Sequence, residues 1–335
     1  MQVRGGALTR SMRSPLREWK RDMTQNKQRA SVSLNISQTL SVRISKLRRS
    51  SSVLLMIGPP VLFILIFTLY PAILAIFLSF TNRDFGFPTW SFIGLENYQR
   101  LISWEYSSEI LMNTALVVFC ASALQISIGF LFAMALNQNW PYRGLVRGIA
   151  ILPWIIPGIV IALLWQQIFN GSQLGIANTA IRALGFEQRA WLAEPSQALA
   201  IIIFVMVWRS FPLSLILLLG GLQSIPRELY EAASIDGATR WQAFRHITIP
   251  LVMPIILINL IWITAGNLNH LDIPFALTGG GPSYQTAVMS VALYDQAFQN
   301  LDAGFAASIA TVMLLINIAL TLTYVKLLKS KGGPA

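Results

Sequence analysis

Residues 225–250 read IPRELYEAASIDGATRWQAFRHITIP, a mixed polar segment set between two long apolar runs. Pro226 can open a helix and Gly237 can close one. The order therefore predicts a short helix carrying Glu231, Ala232 and Ala233, a break at Gly237, and a second helix ending at Pro250. Charge at Glu231 and Asp236 stands beside small alanines, which let another surface come close. Arg227, Glu228 and Arg240 are expected to pair at the rim. The pattern suits a docking element better than a membrane span, with an ordinary cytoplasmic linker as the alternative.

The flanking runs set the class. The 335-residue chain is 54% hydrophobic and 12% charged, with mean hydropathy +0.57, whereas soluble chains carry about a quarter charged residues. Its runs reach the roughly 20 apolar residues that a bilayer crossing needs, so the expected fold is an all-α polytopic membrane protein. Six spans are predicted, at 53–77, 110–136, 145–169, 198–222, 251–269 and 303–328. Pro59, Pro60 and Pro71 should bend or end the first, Pro153 and Pro157 lie in the third, and Pro212 should break the fourth. Internal prolines are tolerable where neighbouring helices re-satisfy the freed carbonyls.

The pI near 10.2 invites a nucleic-acid reading, but the charge is unevenly placed. Twelve of the 25 basic residues fall in the first 49 positions. With that tail inside, the inner segments carry Arg143, Arg147, Arg227, Arg240, Arg245, Lys326, Lys329 and Lys331, and the outer ones Arg83, Arg100, Arg182 and Arg189. Twenty inside against four outside, with Arg209 left within a span, is a positive-inside pattern with both termini cytoplasmic. It puts 225–250 on the cytoplasmic side. The domain plan is a basic, largely unstructured tail over 1–50 with a short surface helix near 34–46, a six-helix membrane domain over 51–330, and a cytoplasmic end at 331–335. No secretory signal peptide is expected, because the basic region is too long and no cleavage pattern follows. The tail lacks the interleaved aromatics of a nucleic-acid binder, leaving membrane lipid as its expected contact. The lone Cys120 offers no disulfide framework.

The docking stretch also resembles a known signature. Glu231-Ala232-Ala233, three residues, Gly237, nine residues, Ile247, one residue and Ile249-Pro250 is similar to the signature loop of permease subunits of bacterial ATP-binding-cassette importers, where Leu stands in place of Ile249. Three further stretches resemble the carbohydrate-importer branch, which contains the maltose-type first permease subunit. They are Phe92 to Tyr98 (FIGLENY), Gly221 to Pro226 (GLQSIP), and Leu277 to Pro282 (LTGGGP) followed by Thr286. The resemblance covers 52–328 and implies a type I importer permease fold with six transmembrane helices and a cytoplasmic coupling loop. It implies that Glu231, Ala232 and Ala233 contact an ATPase subunit, while Asp236 and Gly237 shape the turn beneath. The implied partners are a homologous second permease, two ATP-binding subunits and an extracytoplasmic solute-binding protein. No Gly-x4-Gly-Lys-Ser/Thr motif occurs, so ATP and Mg are expected to be used by the partner ATPase subunits, with no cofactor on this chain and no enzyme activity of its own.

A charge within a span commonly faces a cavity or a partner, which singles out Arg209. Trp208 beside it offers an aromatic plane, and Ser210 and Ser214 add hydroxyls. On the fifth span Asn259 and Trp262 are three apart, as are Asn267 and His270, so each pair is expected to share a helix face. As a substrate pathway, Trp208, Arg209, Ser210, Asn259, Trp262, Asn267 and His270 suit a neutral, hydroxyl-rich solute. Packing stands as the alternative: Asn259 as interhelical glue, Trp262 against neighbours or lipid, Arg209 paired to another subunit or snorkelling. His246 and His270 lack the companions of a zinc site, and satisfied structural roles are expected for both. Asp272 and Glu194 lack acid-base partners. The expected function is the permease subunit of an importer moving a sugar or oligosaccharide across the bacterial inner membrane. Glycerol phosphate, a polyol or a charged glycoside is the alternative cargo. An ion-coupled secondary transporter is disfavoured, since neither buried mid-membrane carboxylates nor inverted repeats are visible.

Overall fold

The computed structural model describes residues 56–332 apart from residue 88; the basic tail and the helix expected near 34–46 lie outside the described residues. The chain divides into two compact units, Met1–Ala72 and Ile73–Ala335, and every candidate functional residue lies in the second. Helix α1 runs Met56–Leu78. None of its prolines ends it. Ahead of Pro71, residues Leu65–Leu69 widen into a π turn in which the Tyr70 N–H donates to the Leu65 carbonyl. A proline ring crowds the carbonyl four residues back, and the wider turn makes room for it.

The second unit continues with α2 (Glu96–Ser103), α3 (Ser107–Asn137), α4 (Arg143–Ile155), α5 (Gly158–Ile168), α6 (Ile176–Ala183), α7 (Pro195–Gln223) and α8 (Arg227–Ile235). Then come α9 (Arg240–Ala243), α10 (Ile249–Leu268), α11 (Asp272–Thr278), α12 (Met289–Tyr294) and α13 (Ala303–Gly332). The chain is all-α and polytopic: five helices are long and apolar enough to cross a membrane, or six if the bent pair α4–α5 counts as one.

That pair corrects the expected third span. α4 and α5 meet at 95°. The cause is local: Ile156 precedes Pro157 and is held extended at ψ 135°, because the proline ring excludes the helical conformation of the residue before it. The fourth span corrects the other way, since α7 runs through Pro212 unbroken. Pro212 is buried, and α7 packs along its length against α3, α4 and α10, contacts that outweigh the cost of an internal proline, about 3 kcal/mol.

α7 is the axis of the bundle. Apolar lipid offers helices no hydrophobic incentive to associate, so close contact must come from small side chains. Gly129 on α3 supplies it: a Cβ there would lie 2.7 Å from the Ser214 Cβ and 2.9 Å from the Leu215 backbone nitrogen. The apolar core near the 225–250 end joins Leu136, Leu215, Leu218, Leu222 and Val252. Toward the other end, Ile161, Ile202, Val205, Met206 and Ile273 pack α5, α7 and α11 together. The FIGLENY stretch clamps the chain after α1, where the Asn97 amide donates to the Ser79 and Thr81 carbonyls at 2.9 and 2.8 Å. In LTGGGP the backbone turns through the left-handed region, with Gly279 at φ +59° and Gly280 at +81°. The Thr286 hydroxyl pins that turn to Thr278 and to the Gly281 carbonyl, each at 2.8 Å.

Candidate functional site

Two regions carry the candidate residues. The first is the elbow at 224–250. α8 ends in a two-bond lock: the Gly237 N–H donates to the Ser234 carbonyl at 3.1 Å, and the Ala238 N–H to the Ala233 carbonyl at 2.9 Å. Gly237 stands at φ +79°, the left-handed conformation in which a side chain is strained. Asp236 closes the helix beside it. The next helix opens at Thr239, whose hydroxyl accepts from the Gln242 N–H while the Gln242 side chain accepts from the Thr239 N–H. This reciprocal cap satisfies two N–H groups that the start of a helix would otherwise leave free.

The second helix does not end at Pro250. α9 passes through a π turn, Phe244–Thr248, into α10, with the Ile249 N–H donating to Phe244. The widened turn stands two residues ahead of Pro250, as the α1 turn stands ahead of Pro71, and has the same steric origin. The elbow is thus one piece with the fifth span. Tyr230 ties α8 to it through a 2.9 Å hydrogen bond between its hydroxyl and that of Thr248. Tyr230 packs against the apolar cluster that includes Leu222, Ile225 and Val252.

The elbow's free face carries Glu231 and Ala232, with Ala233 half-buried, and the apolar side chains Ile235 and Trp241 at 87% and 66% exposure. Trp241 stacks on Phe244 at 5.4 Å, and Phe244 reaches Phe130 of α3 at 6.1 Å. The expected rim pairs among Arg227, Glu228 and Arg240 do not form. Their side chains are exposed, where water competes and an ion pair gains little.

The second region lies where the two helix breaks meet. Gly158 opens α5 just after the Pro157 break, Asp272 opens α11 just after the Asn269–Leu271 break, and Arg209 projects from α7 between them. A Cβ on Gly158 would lie 2.9 Å from Asp272 Oδ2 and 3.5 Å from Arg209 Nε. Arg209 and Asp272 nevertheless form no ion pair. Arg209 Nε is buried with no hydrogen-bond partner, and so is His270 Nε2, which lies within electrostatic range of both charges. The satisfied role expected for His270 is therefore not met; His246, by contrast, places Nδ1 3.0 Å from the Gln242 carbonyl. Sequence reasoning weighed Asp272 only as an acid-base group and did not single out Gly158, because their role arises only when three elements converge.

The remaining path candidates separate. Trp208 packs edge-on against Trp165 at 5.5 Å and lines an apolar groove of about 660 Å³ with Phe132, Phe204 and Phe211. Ser210 is half-buried beside Arg209. Asn267 is committed to the bundle: its amide donates to Ser122 at 2.9 Å and to Gln125 at 3.2 Å, and Gln125 also reaches the Met206 carbonyl. Asn259 and Trp262 do not share an environment, at 0% and 68% exposure, and both polar atoms of Asn259 lack partners. Asn267 and His270 do not share a helix face either, since α10 ends at Leu268.

A rigid elbow fused to a membrane bundle, with charges gathered at its helix breaks, is the build of a translocation subunit. The chain belongs to the family described as binding-protein-dependent transport system inner membrane component, whose profile matches residues 125–330. It is a multi-pass inner-membrane translocation component and not itself an enzyme. It is 35% identical over 298 residues to the trehalose/maltose transport system permease protein MalF of Thermococcus litoralis, covering 87% of this chain and 97% of that one. It is 30% identical over 283 residues to the sulfoquinovosyl glycerol transport system permease protein SmoG of Agrobacterium fabrum, covering 83% and 90%. Among solved structures, a chain of a bacterial alginate ABC transporter shares the fold with a TM-score of 0.75 at 22% identity, covering 85% and 96%.

Proposed function

We propose that this chain is the permease subunit of an ATP-driven importer that moves a sugar or oligosaccharide through six transmembrane helices, α4–α5 being one broken crossing. Both termini and the 224–250 elbow face the cytoplasm, as the basic-residue asymmetry supports. Glu231, Ala232 and Ala233 seat against one of two ATP-binding subunits, Asp236 and Gly237 holding the turn. ATP and Mg act on those subunits. A second permease completes the pathway, and a solute-binding protein delivers cargo from outside. Arg209, Trp208, Ser210, Asn259, Trp262, Asn267 and His270 are the pathway side chains on this reading, with Asn267 and Trp262 in supporting positions.

The observation that carries this is the fusion of α9 to α10. A push on α8 passes through the hydrogen-bonded turn at Gly237 and the Tyr230–Thr248 bond into the fused α9–α10, and so reaches the Asn269–Leu271 break, beside Arg209, as a rigid-body displacement. The cycle is directional because solute binds differently in the two end states. The relatives that transport trehalose/maltose and sulfoquinovosyl glycerol support a glycosidic cargo. A charged cargo such as a glycerol phosphate or sulfonated glycoside is the second reading, favoured by the unpartnered Arg209 Nε.

The test is Glu231→Lys with Ala233→Trp in the complete importer reconstituted in vesicles. Uptake is expected to fall to background while ATP hydrolysis continues. Normal uptake by that double variant would overturn the docking assignment.

A further inference from the structure

Resting on the importer reading above, we propose that Asp272 is a specificity determinant: with Arg209 it forms a charge-compensated clamp for the hydroxyls of a neutral sugar, and it excludes anionic cargo. The positive end of α5 and the Arg209 guanidinium together would otherwise make an anion site, since a helix N-terminus presents free N–H groups and partial positive charge. Asp272 already stands there. Its Oδ2 lies 2.9 Å from where a Gly158 Cβ would be, and Arg209 Nε lies 3.5 Å from the same point.

The two side chains approach one spot without bonding each other. That leaves the Arg209 guanidinium, through N–H groups other than the buried Nε, as donor and Asp272 as acceptor, the pairing that adjacent sugar hydroxyls satisfy in both directions. Asp272 is exposed while Arg209 Nε is buried, so the carboxylate meets an arriving solute first. A sulfonate, phosphate or uronate would have to approach that carboxylate at close range, a like-charge repulsion at separations well inside the Debye length. Gly158 is what makes the clamp possible, because any larger residue there would drive Asp272 aside.

The experiment uses the complete importer, with its partner permease and ATPase subunits, and measures binding of maltose against maltobionate, an acid of similar size. The wild type is expected to prefer maltose. Asp272→Asn should shift the maltobionate-to-maltose ratio by on the order of tenfold or more toward the acid. Asp272→Glu should restore the wild-type preference, and Gly158→Ala should weaken maltose binding. A wild-type preference for the acid, or an unchanged ratio in Asp272→Asn at normal amounts of assembled complex, would overturn the clamp. An assembly that takes up no sugar of either charge from its own binding protein would instead overturn the importer reading beneath it. If Asp272→Asn fails to assemble, the Gly158→Ala result decides: unchanged maltose binding there overturns the proposal.

Discussion

The elbow and the charge cluster around Gly158 are assembled in opposite ways. The elbow is contiguous: its lock at Gly237, its cap at Thr239 and its exposed face all come from residues 224–250. The cluster takes Gly158, Arg209 and Asp272 from three elements, brought together by two helix breaks and by side-chain packing elsewhere in the bundle. A surface that must fit a partner of fixed shape can be written as one local motif. A site between helices depends on the whole bundle, so its failure modes lie far from its chemistry.

The sharpest way to break this contrast is at a distance. Gly129→Val would force a side chain into Ser214 and the Leu215 backbone, at a cost of about 3 kcal/mol, the upper part of the usual range for overpacking. Thermal unfolding of the purified importer should show a markedly lowered midpoint, with solute binding lost although no path residue has changed. An unshifted midpoint would mean that the α3–α7 contact does not hold the path together.

Gly237→Val tests the other side. A β-branched residue in the left-handed conformation costs roughly 1–2 kcal/mol, spent within the elbow. The melting midpoint should fall by only a few degrees, less than for Gly129→Val, while ATP hydrolysis by the complete importer loses its link to uptake. Gly237→Asn, which tolerates that backbone conformation, should recover most of the uptake.

The same contrast explains what could be read from residues alone. The apolar runs and the break at Gly237 are period and punctuation, and both are found in the structure. The right-angle bend at Ile156–Pro157 was not legible, because Pro153, Pro157, Pro212 and Pro250 look alike in sequence. Only the surroundings decide: packing carries α7 straight through Pro212, while the chain after Ile156 turns away. Asn267 read as a path residue because a polar group in a span is informative, yet its partners Ser122 and Gln125 lie 145 and 142 positions away. Gln125→Leu and Asn267→Leu in a double-mutant cycle should give a coupling of about 0.6–1.7 kcal/mol, as measured for interhelical hydrogen bonds in membranes. No coupling would mean that these bonds do not fix Asn267 in its supporting position.

The smallest effect separates holding the elbow from transmitting through it. Tyr230→Phe keeps the ring against the apolar cluster but removes the partner of the buried Thr248 hydroxyl. An orphaned buried hydroxyl costs about 1 kcal/mol, whereas removing both partners is nearly neutral. Tyr230→Phe should therefore lower the midpoint slightly, and Tyr230→Phe with Thr248→Val should restore it. If the bond is also the tether through which α8 moves α10, both variants should consume more ATP per solute imported, although only the single one is less stable. A coupling ratio that recovers together with stability would show that the hydrogen bond merely holds the elbow, and that force passes through the α9–α10 helix alone.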